Sequence, residues 1–406
     1  MKTLLQINTV VNSGSTGRIA EEIGQTAINN GWNSTIAYGR NERPSQSKLI
    51  RIGTDWDIKL HGLQTRLLDR HGLGSVNATE KLIEQIKEIQ PSIIHLHNLH
   101  GYYLNIEIFF NYLANANISV VWTLHDCWAM TGHCAYFDYI GCQKWKTSCF
   151  NCPQKKSYPT SFFVDRSIKN YQLKKKLFSS VRNLHIVTVS NWLREITSQS
   201  YLAQYPIQVI NNGIDIQTFS PQNNLEEIRT KYGIGNRFML VGVATAWSER
   251  KGLNDFIELS RILDTENAVV LVGLSETQLK FLPKSIIGIP RTENTTELAQ
   301  LYSAADIVLN LSAEETFGLT TVEGFACGTP GIVYNCTASP ELITSETGIV
   351  VEKGNDQELL KAIETIKANG KVSYSKACRE RAEKLYNKDD RYMDYLKLYE
   401  TILEHR

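Results

Sequence analysis

The sequence of 406 residues lacks any apolar run of about 18 residues, the length that a membrane-spanning helix requires. It also lacks the basic excess that is typical of nucleic-acid binding, because its formal net charge is only +1. Prolines are few, and 42% hydrophobic with 21% charged residues is typical of a globular chain. The N-terminal run MKTLLQINTVVNSG turns polar too early for a signal peptide. We therefore expect a cytoplasmic protein that binds no nucleic acid, with peripheral contact to the inner face of a membrane left open.

Apolar, β-rich runs alternate with amphipathic runs in two successive series, which begin at residues 3–10 and 237–244. Such alternation is typical of parallel sheets whose two faces are covered by helices. The chain is also longer than one ordinary hydrophobic core. The predicted fold class is therefore α/β, with two facing Rossmann-like domains and a cleft between them. The predicted segments are an N-terminal domain over 1–216 with a Cys-rich insert at 127–160, a C-terminal domain over 217–388 and a final helix over 389–406.

Ligands of open parallel sheets bind beyond the carboxyl ends of the strands, where loops lead into helix N-termini. The first such loop, in VVNSGSTGRIAEE, carries Gly14 and Gly17. Glycines there permit the backbone to approach a phosphate closely. The stretch has neither the Gly-Lys-Ser/Thr of a Walker A loop nor the spacing GxGxxG, so an ordinary glycine-containing turn is the alternative.

Two further strand ends carry candidate side chains. His125 ends the apolar run VVWTLH, either as a functional loop residue or as a packed histidine bonded to Asp126. Arg250 and Lys251 precede Gly252 and a predicted helix. Two cations at a helix start can neutralise a pyrophosphate without a metal ion, whereas a solvated charged loop is the plainer interpretation.

The stretch SAEETFGLTTVEGFACGTP, residues 312–330, places two glutamates around a predicted helix start. We expect Thr316 to cap this helix, with Glu315 at its mouth and Glu323 about two turns inside. An ionised carboxylate can accept hydrogen bonds from two vicinal hydroxyls, so the pattern indicates a ligand rich in hydroxyls. A surface helix start with acidic residues is the alternative.

Five short stretches follow one another along the chain in an order that is typical of a known family. They are TLHD, VSNWLREI, VINNGID, SERKG and EETFGLTTVEGFACGTP. Together they resemble the family-four retaining glycosyltransferases of GT-B fold, the glycosyl transferases group 1, of the bacterial surface-polysaccharide type. The resemblance implies transfer of a sugar from a UDP- or GDP-sugar donor to a saccharide or lipid-linked saccharide acceptor, in polysaccharide or lipopolysaccharide biosynthesis. It also implies that the final helix crosses back onto the first domain.

The resemblance implies roles for nine residues. The catalytic residues are His125 near the reacting sugar, Lys251 and Arg250 at the phosphates, and Glu315 at hydroxyls of the transferred sugar. The donor-binding residues are Glu323 at the ribose, Phe317, Gly318 and Leu319 through their amides, and Gly17. One departure is that VATAW, with Thr245 and Ala246, stands where the family often has an arginine. No Asp-x-Asp follows a predicted strand, so we expect catalysis without a metal or other cofactor.

The Cys-rich insert crowds five of the eight cysteines into 26 residues, with a CxxC step at its end. In a cytosolic protein such crowding favours a metal over disulfides. Packed thiols, or disulfides in an oxidised sample, are the alternatives. The residues predicted to hold a structural zinc ion are Cys134, Cys142, Cys149 and Cys152.

Other features have plainer interpretations. His95 and His97 alternate along one strand, and we expect packing or a cleft-lining role rather than a metal site. The basic run KNYQLKKK, residues 169–176, is interpreted as a solvated helix face, with contact to anionic lipid as the alternative. A non-catalytic two-domain sugar- or nucleotide-binding protein and a Rossmann-type nucleotide-sugar-modifying enzyme are the competing functions, although the first loop lacks a full dinucleotide fingerprint.

Overall fold

The computed structural model describes residues 1–405, which divide into two compact units. The first unit comprises Met1–Ile210 and the chain from Arg391 onward, and the second comprises Asn211–Asp390. Each unit contains one sheet, and every strand pair in both sheets is parallel. The prediction of an α/β chain with two parallel-sheet domains is therefore confirmed.

The first unit has a seven-stranded sheet in the order β3-β2-β1-β4-β5-β6-β7. Its central strands form because continuous apolar runs such as SVVWTL are buried along their whole length. The strands are β1 (Thr3–Val10), β2 (Asn33–Arg40), β3 (Lys48–Arg51), β4 (Ile93–Leu96), β5 (Ser119–Leu124), β6 (Leu184–Thr188) and β7 (Ile207–Val209). The helices are α1 (Gly14–Asn29), α2 (Asp55–Leu68), α3 (Val76–Ile89), α4 (Ile106–Asn115), α5 (Ser167–Phe178) and α6 (Asn191–Ser198).

The second unit has a six-stranded sheet in the order β10-β9-β8-β11-β12-β13. Its strands are β8 (Phe238–Val243), β9 (Asn267–Val272), β10 (Ile286–Ile289), β11 (Ile307–Asn310), β12 (Gly331–Tyr334) and β13 (Gly348–Val351). Its helices are α7 (Leu225–Lys231), α8 (Leu253–Ile262), α9 (Glu276–Phe281), α10 (Thr295–Ala304), α11 (Leu319–Ala326), α12 (Asp356–Asn369) and α13 (Val372–Tyr386).

The last helix, α14 (Lys388–Glu404), packs into the core of the first unit through buried tyrosines. The hydroxyl of Tyr399 lies 2.6 Å from His95 Nδ1, and the Thr123 hydroxyl donates to Tyr395 Oη at 3.2 Å. Burying these hydroxyls is tolerated because each has a hydrogen-bond partner. The end of the chain is thereby fixed against β4 and β5.

None of the helices within residues 1–405 combines the length and the apolar character that a bilayer-spanning segment needs.

Candidate active site

The strand order of the second unit reverses between β8 and β11, and loops at such a reversal diverge to leave a crevice at the carboxyl edge of the sheet. The loop after β8 contains a short 3₁₀ turn, Glu249–Lys251, and leads into α8. The loop after β11 carries Glu314 and Glu315 and leads into α11. The topology therefore brings together the two stretches that the sequence singled out in this half of the chain.

Ion-pair and backbone contacts tie these two loops to each other. Lys251 Nζ lies 2.5 Å from Glu315 Oε1, with side chains 22% and 13% exposed. The Arg250 guanidinium donates from Nη1 to the Glu314 carbonyl oxygen at 2.6 Å, and the Ala313 amide donates to the Arg250 carbonyl at 2.8 Å. The cationic run is thus a part of the crevice wall, and not a solvated loop.

Glu315 is held as an ionised carboxylate. Burial alone raises its pKa, but the Lys251 ammonium, with Arg250 beside it, outweighs burial and sets the pKa below the ordinary value. Thr337 fixes the backbone of Glu315 from both sides, since its hydroxyl accepts from the Glu315 amide and donates to the Glu315 carbonyl, each at 2.8 Å. This carboxylate can accept hydrogen bonds from ligand hydroxyls without moving.

The start of α11 differs from the prediction. Gly318, and not Thr316, is the N-cap, and it has φ of +102° with no side chain acting as cap. The backbone conformation therefore favours glycine there, and a Cβ at this position would lie 2.9 Å from Leu342 Cδ1, so the leucine side chain would have to move. Phe317 is buried, with its ring 5.6 Å from that of Tyr386. Leu319 is the first helical residue, so its amide is among the N-terminal groups that have no intrahelical partner.

Glu323 lies about one turn into α11, instead of two, because the helix begins at Leu319. Its carboxylate is buried, and the Tyr302 hydroxyl donates to Glu323 Oε2 at 2.9 Å. A buried carboxylate with a fixed partner is oriented in advance for a ligand diol.

His125 directly follows β5 at the carboxyl edge of the first unit's sheet, one strand away from the reversal of strand order between β1 and β4. Its Nε2 lies 3.2 Å from His97 Nδ1, and the Nε2 of His97 lies 3.0 Å from Gln6 Oε1. Burial lowers the pKa of His125 to about 4, against a small opposing effect of Asp126. The imidazole is therefore neutral at physiological pH and can exchange hydrogen bonds with uncharged ligand groups.

A second polar chain runs beside His125 that the sequence did not indicate. Asp126 accepts from the Trp128 amide at 2.9 Å and lies 2.7 Å from His100 Nε2. The Tyr158 hydroxyl lies 2.8 Å from His100 Nδ1. Burial raises the pKa of Asp126, but His100 and the Trp128 amide outweigh it and the pKa falls below its ordinary value. Asp126 thus forms an ion pair with His100.

His95 and His97 pack as expected. Both are buried, with ring centroids 4.0 Å apart on the same face of β4. His95 Nε2 lies 2.8 Å from the Thr123 hydroxyl. Their ring nitrogens form hydrogen bonds with protein groups, which makes the burial of these polar atoms tolerable.

Gly17 lies in the first turn of α1, where the helix leaves β1. Its carbonyl accepts from the Asn12 amide at 3.1 Å, and a Cβ there would lie 2.9 Å from Val10 Cγ2. Close packing of the helix on the strand end explains this glycine. Contact of its amide with a diphosphate stays a prediction.

The Cys-rich segment follows β5 and contains only the 3₁₀ turns Trp128–Met130, Asp138–Ile140 and Lys144–Lys146 before α5. Cys134, Cys142, Cys149 and Cys152 line one pocket, and Cys149 Sγ accepts from the Gly132 amide at 3.2 Å. All eight cysteines are free thiols in this structure. Within residues 1–405, no three His, Cys, Asp or Glu side chains already form a metal-binding group.

The nine predicted catalytic and donor-binding residues thus fall into two groups, one in each unit. The second unit brings together Arg250, Lys251, Glu315, Phe317, Gly318, Leu319 and Glu323, and the first unit places Gly17 and His125 at its own carboxyl edge. Thr245 and Ala246 follow β8 and are exposed. Arg250 therefore supplies the guanidinium that this loop contributes to the crevice.

Known proteins share both the sequence and this architecture. A chain from Escherichia coli K12 that is named for colanic acid biosynthesis, the glycosyl transferase WcaC, is 25% identical over 389 residues, covering 90% of each chain. Sucrose-phosphate synthase from Thermosynechococcus elongatus superposes with a TM-score of 0.76 at 16% identity over 100% of both chains. The Anabaena protein HepE, solved in complex with UDP, superposes with a TM-score of 0.69 at 15% identity, over 99% of this chain and 100% of that one.

Two family models match consecutive parts of the chain. Glycosyltransferase Family 4 matches residues 16–218, which is half of the chain, and Glycosyl transferases group 1 matches residues 224–385. The second match contains all seven of the candidate residues of the second unit. The chain is therefore a member of glycosyltransferase family 4, an enzyme of GT-B fold that transfers glycosyl groups.

Proposed function

We propose that this enzyme moves a sugar from a UDP- or GDP-sugar to a saccharide or lipid-linked saccharide acceptor, with retention of anomeric configuration and without a metal ion. The observation that supports it most directly is the Lys251–Glu315 pair beside the start of α11, at the strand-order reversal of the second unit. The names of similar proteins support the donor class, since HepE was solved with UDP and a Mycobacterium tuberculosis relative is named a GDP-mannose-dependent mannosyltransferase. Colanic acid biosynthesis in the name of WcaC supports a role in polysaccharide or lipopolysaccharide assembly.

The donor lies against the second unit in this proposal. Glu323 accepts from the ribose hydroxyls, and Glu315 accepts from hydroxyls of the transferred sugar. The diphosphate lies near the Gly318 and Leu319 amides, where the partial positive charge of the helix start favours an anion. The Lys251 ammonium is shared between Glu315 and the diphosphate, and Arg250 adds a second cation.

The chemistry follows from where charge develops. Breaking the bond between the anomeric carbon and the diphosphate oxygen leaves negative charge on the nucleoside diphosphate and positive charge on the sugar ring. Lys251, Arg250 and the helix start stabilise that negative charge, and fixed donors of this kind contribute several kcal/mol in comparable sites, about 3–4 kcal/mol for one donor. These groups take the place that a divalent cation has in metal-dependent transfer.

Retention is explained by attack on the face that the diphosphate leaves. The acceptor hydroxyl oxygen bonds to the anomeric carbon there, and its proton passes to the departing phosphate oxygen. Glu315 is not the nucleophile in this proposal, because Lys251 already holds its carboxylate and lowers its pKa. For the first unit, the proposal gives His125 the role of a neutral partner that can hydrogen-bond sugar hydroxyls without adding charge, and gives the Gly17 amide the role of a donor to a phosphate oxygen.

The test is a binding and hydrolysis screen against UDP-, GDP- and ADP-sugars with EDTA present throughout. One donor is expected to bind, and Lys251→Ala and Glu323→Ala are expected to weaken that binding strongly. Lys231→Ala is the matched control, because Lys231 makes an ammonium–carboxylate pair of the same length with Glu297 elsewhere in the unit. Binding that returns only when a divalent ion replaces EDTA contradicts the metal-free mechanism, and an inverted product anomer by NMR contradicts retention.

We also propose that Cys134, Cys142, Cys149 and Cys152 hold a structural zinc ion. Thiolates are preferred zinc ligands, and the four cysteines line one pocket. An N–H donor to Cys149 Sγ is the kind of contact that orients a thiolate ligand. A stable zinc ion would organise a segment whose own buried aromatic contact is the stacked pair Phe137 and Trp145.

Zinc content is measured by mass spectrometry on protein purified without chelator. About one zinc per chain is expected, lost in Cys149→Ser/Cys152→Ser and kept in Cys336→Ser, a half-buried thiol of the second unit. Protein that carries well below one equivalent, with the same amount in all variants, contradicts the zinc proposal and leaves the proposed transfer untouched.

A further inference from the structure

Large apolar side chains are exposed together on one helix of the first unit. Along α2, Trp56, Leu60, Leu63 and Leu67 follow a spacing that places them on one face, and Trp56 is 70% exposed. Scattered exposed apolar residues are ordinary on protein surfaces, but a contiguous patch of this kind marks a surface that contacts something else.

The inward face of α2 is polar, which reverses the usual pattern of a surface helix. Its buried residues are His61, Gly62 and Thr65. His61 Nε2 accepts from the amides of Gly72 and Gly74, at 3.0 and 3.2 Å. The helix is therefore anchored by hydrogen bonds and a capping box, and its apolar residues are left for another partner.

A second segment continues this surface. Phe162 and Phe163 are both exposed, Phe163 at 74%, and the Phe162 amide donates to the Arg66 carbonyl at 2.8 Å. The two phenylalanines thus lie beside the last turn of α2. We name this surface the apolar face; its residues are Trp56, Leu60, Leu63, Leu67, Phe162 and Phe163.

Cations border the apolar face. Lys59, Arg66 and Arg70 are exposed on α2 or directly after it, and Lys59 Nζ lies 5.0 Å from the Trp56 ring centroid. The acids of α2 are engaged elsewhere, since Asp57 forms the capping box with Thr54 and Asp55 pairs with Arg51. An apolar stripe with a cationic border is complementary to a bilayer surface that carries anionic lipid.

We propose that the apolar face docks this enzyme on anionic membranes, with α2 lying in the plane of the interface. Trp56 and the two phenylalanines insert at the level of the headgroups, and the bordering lysine and arginines contact lipid phosphates. The basic run 169–176 does not serve this purpose as one surface, because Lys174 is buried and donates to the carbonyls of Trp128 and Thr131.

The apolar face also connects to the carboxyl edge of the first unit's sheet. The Arg66 guanidinium lies 5.8 Å from the Tyr102 ring, whose centroid is 6.3 Å from that of Tyr158. Tyr158 in turn contacts His100 of the polar chain beside His125. Docking therefore brings a lipid-linked acceptor near this edge, a consequence that rests on the proposed function.

The test sediments the full-length protein with sucrose-loaded vesicles of phosphatidylcholine, with and without phosphatidylglycerol. We expect binding to the anionic vesicles and a loss of roughly tenfold or more in partition coefficient for Trp56→Gln/Leu60→Gln/Leu63→Gln. Lys59→Gln/Arg70→Gln is expected to lose roughly tenfold on anionic vesicles and little on neutral ones. The matched control is Phe281→Gln/Val372→Gln, which removes side chains that are 82% and 87% exposed on the second unit.

Three outcomes overturn the proposal. The first is a wild-type protein that does not bind anionic vesicles, and the second is a control variant that loses as much binding as the triple variant. The third is a wild-type protein that is a dimer by light scattering and a triple variant that is a monomer with unchanged vesicle binding. The last result would identify a second copy of the chain as the occupant. Thermal unfolding by circular dichroism checks that the variants are folded, and binding of a soluble donor is expected to be unchanged in all of them. A protein that binds vesicles but binds no donor would support membrane docking by the apolar face and would contradict the proposed function.

Discussion

The ammonium of Lys251 and the carboxylate of Glu315 lie 2.5 Å apart, although 64 residues separate them in the sequence. Each follows a different strand, and the reversal of strand order between β8 and β11 places their loops side by side. Because the pair is mostly buried, neither charge is well screened by water. The cation that is proposed to stabilise a leaving diphosphate is therefore positioned by the carboxylate that is proposed to contact the sugar.

Lys251→Ala is expected to lower kcat/KM for donor by about 10²–10³-fold, because the charge that stabilises the departing diphosphate is removed. Without the ammonium, burial of Glu315 is less opposed and its pKa rises, so the acid limb of the pH–rate profile moves to higher pH. A double-mutant cycle with Glu315→Gln is expected to be non-additive. The same substitutions at Lys231 and Glu297 are the control. If they change kcat/KM as much as the substitutions at Lys251 and Glu315 do, a catalytic role for Lys251 is contradicted.

Two buried histidines are expected to make folding sensitive to acid. Burial lowers the pKa values of His61 and His125 to about 4, from an ordinary value of 6.5. Below pH 6.5 the unfolded chain takes up protons that the folded chain does not. The contribution of the two neutral histidines to the free energy of unfolding is therefore complete above pH 6.5 and is lost as the pH falls towards 4. The loss approaches about 1.4 kcal/mol per pH unit for each histidine.

Urea unfolding at pH 7, 6 and 5 measures this loss. His61→Gln is expected to be less stable at pH 7 but to show a shallower decline in unfolding free energy with falling pH. His405→Gln, which changes an exposed histidine, is expected to keep the wild-type decline. Parallel pH dependences for all three proteins would show that His61 does not titrate differently on folding.

The main strands and the strand-end motifs were predictable because buried parallel strands read as continuous apolar runs. SVVWTL of β5 and NAVVLV of β9 are buried at every position, and helical patterns separate such runs. The short edge strand β3 escaped prediction, because its sequence KLIR has only one buried residue and does not form a recognisable apolar run.

The helix α2 and the polar chain at His100 escaped prediction for different reasons. The apolar residues of α2 face outward, so the usual rule that the apolar stripe marks the core does not apply. His100 and Asp126 are 26 residues apart, and nothing local in the sequence signals that their side chains meet. The predicted cap of α11 was wrong: Thr316 is the better local capping residue, whereas the helix begins after Gly318, whose φ of +102° is a conformation that glycine adopts readily.

Gly318→Ala is expected to destabilise the protein by about 1–3 kcal/mol, since alanine is strained at φ of +102°. The added methyl also meets Leu342 Cδ1. Gly354→Ala separates the two causes, because Gly354 has φ of +77° and open space around its Cβ position. Unfolding free energies from urea titrations give the comparison, and a Gly318 variant no less stable than the Gly354 variant would contradict a packing requirement at the α11 start.

Tyr302→Phe tests whether Glu323 is oriented for the donor. The Tyr302 hydroxyl donates to the buried Glu323 carboxylate, and hydrogen bonds to charged groups are worth about 1.5–3 kcal/mol. If the carboxylate binds the ribose equally in the ground and transition states, its loss of orientation raises KM for the donor by roughly tenfold or more and leaves kcat nearly unchanged. Tyr232→Phe is the matched control, because the Tyr232 hydroxyl donates to Glu297 at 2.8 Å within the same unit. A drop in kcat at constant KM would instead assign Glu323 to the transition state, and a KM effect of equal size in both variants would show only a general loosening of the second unit.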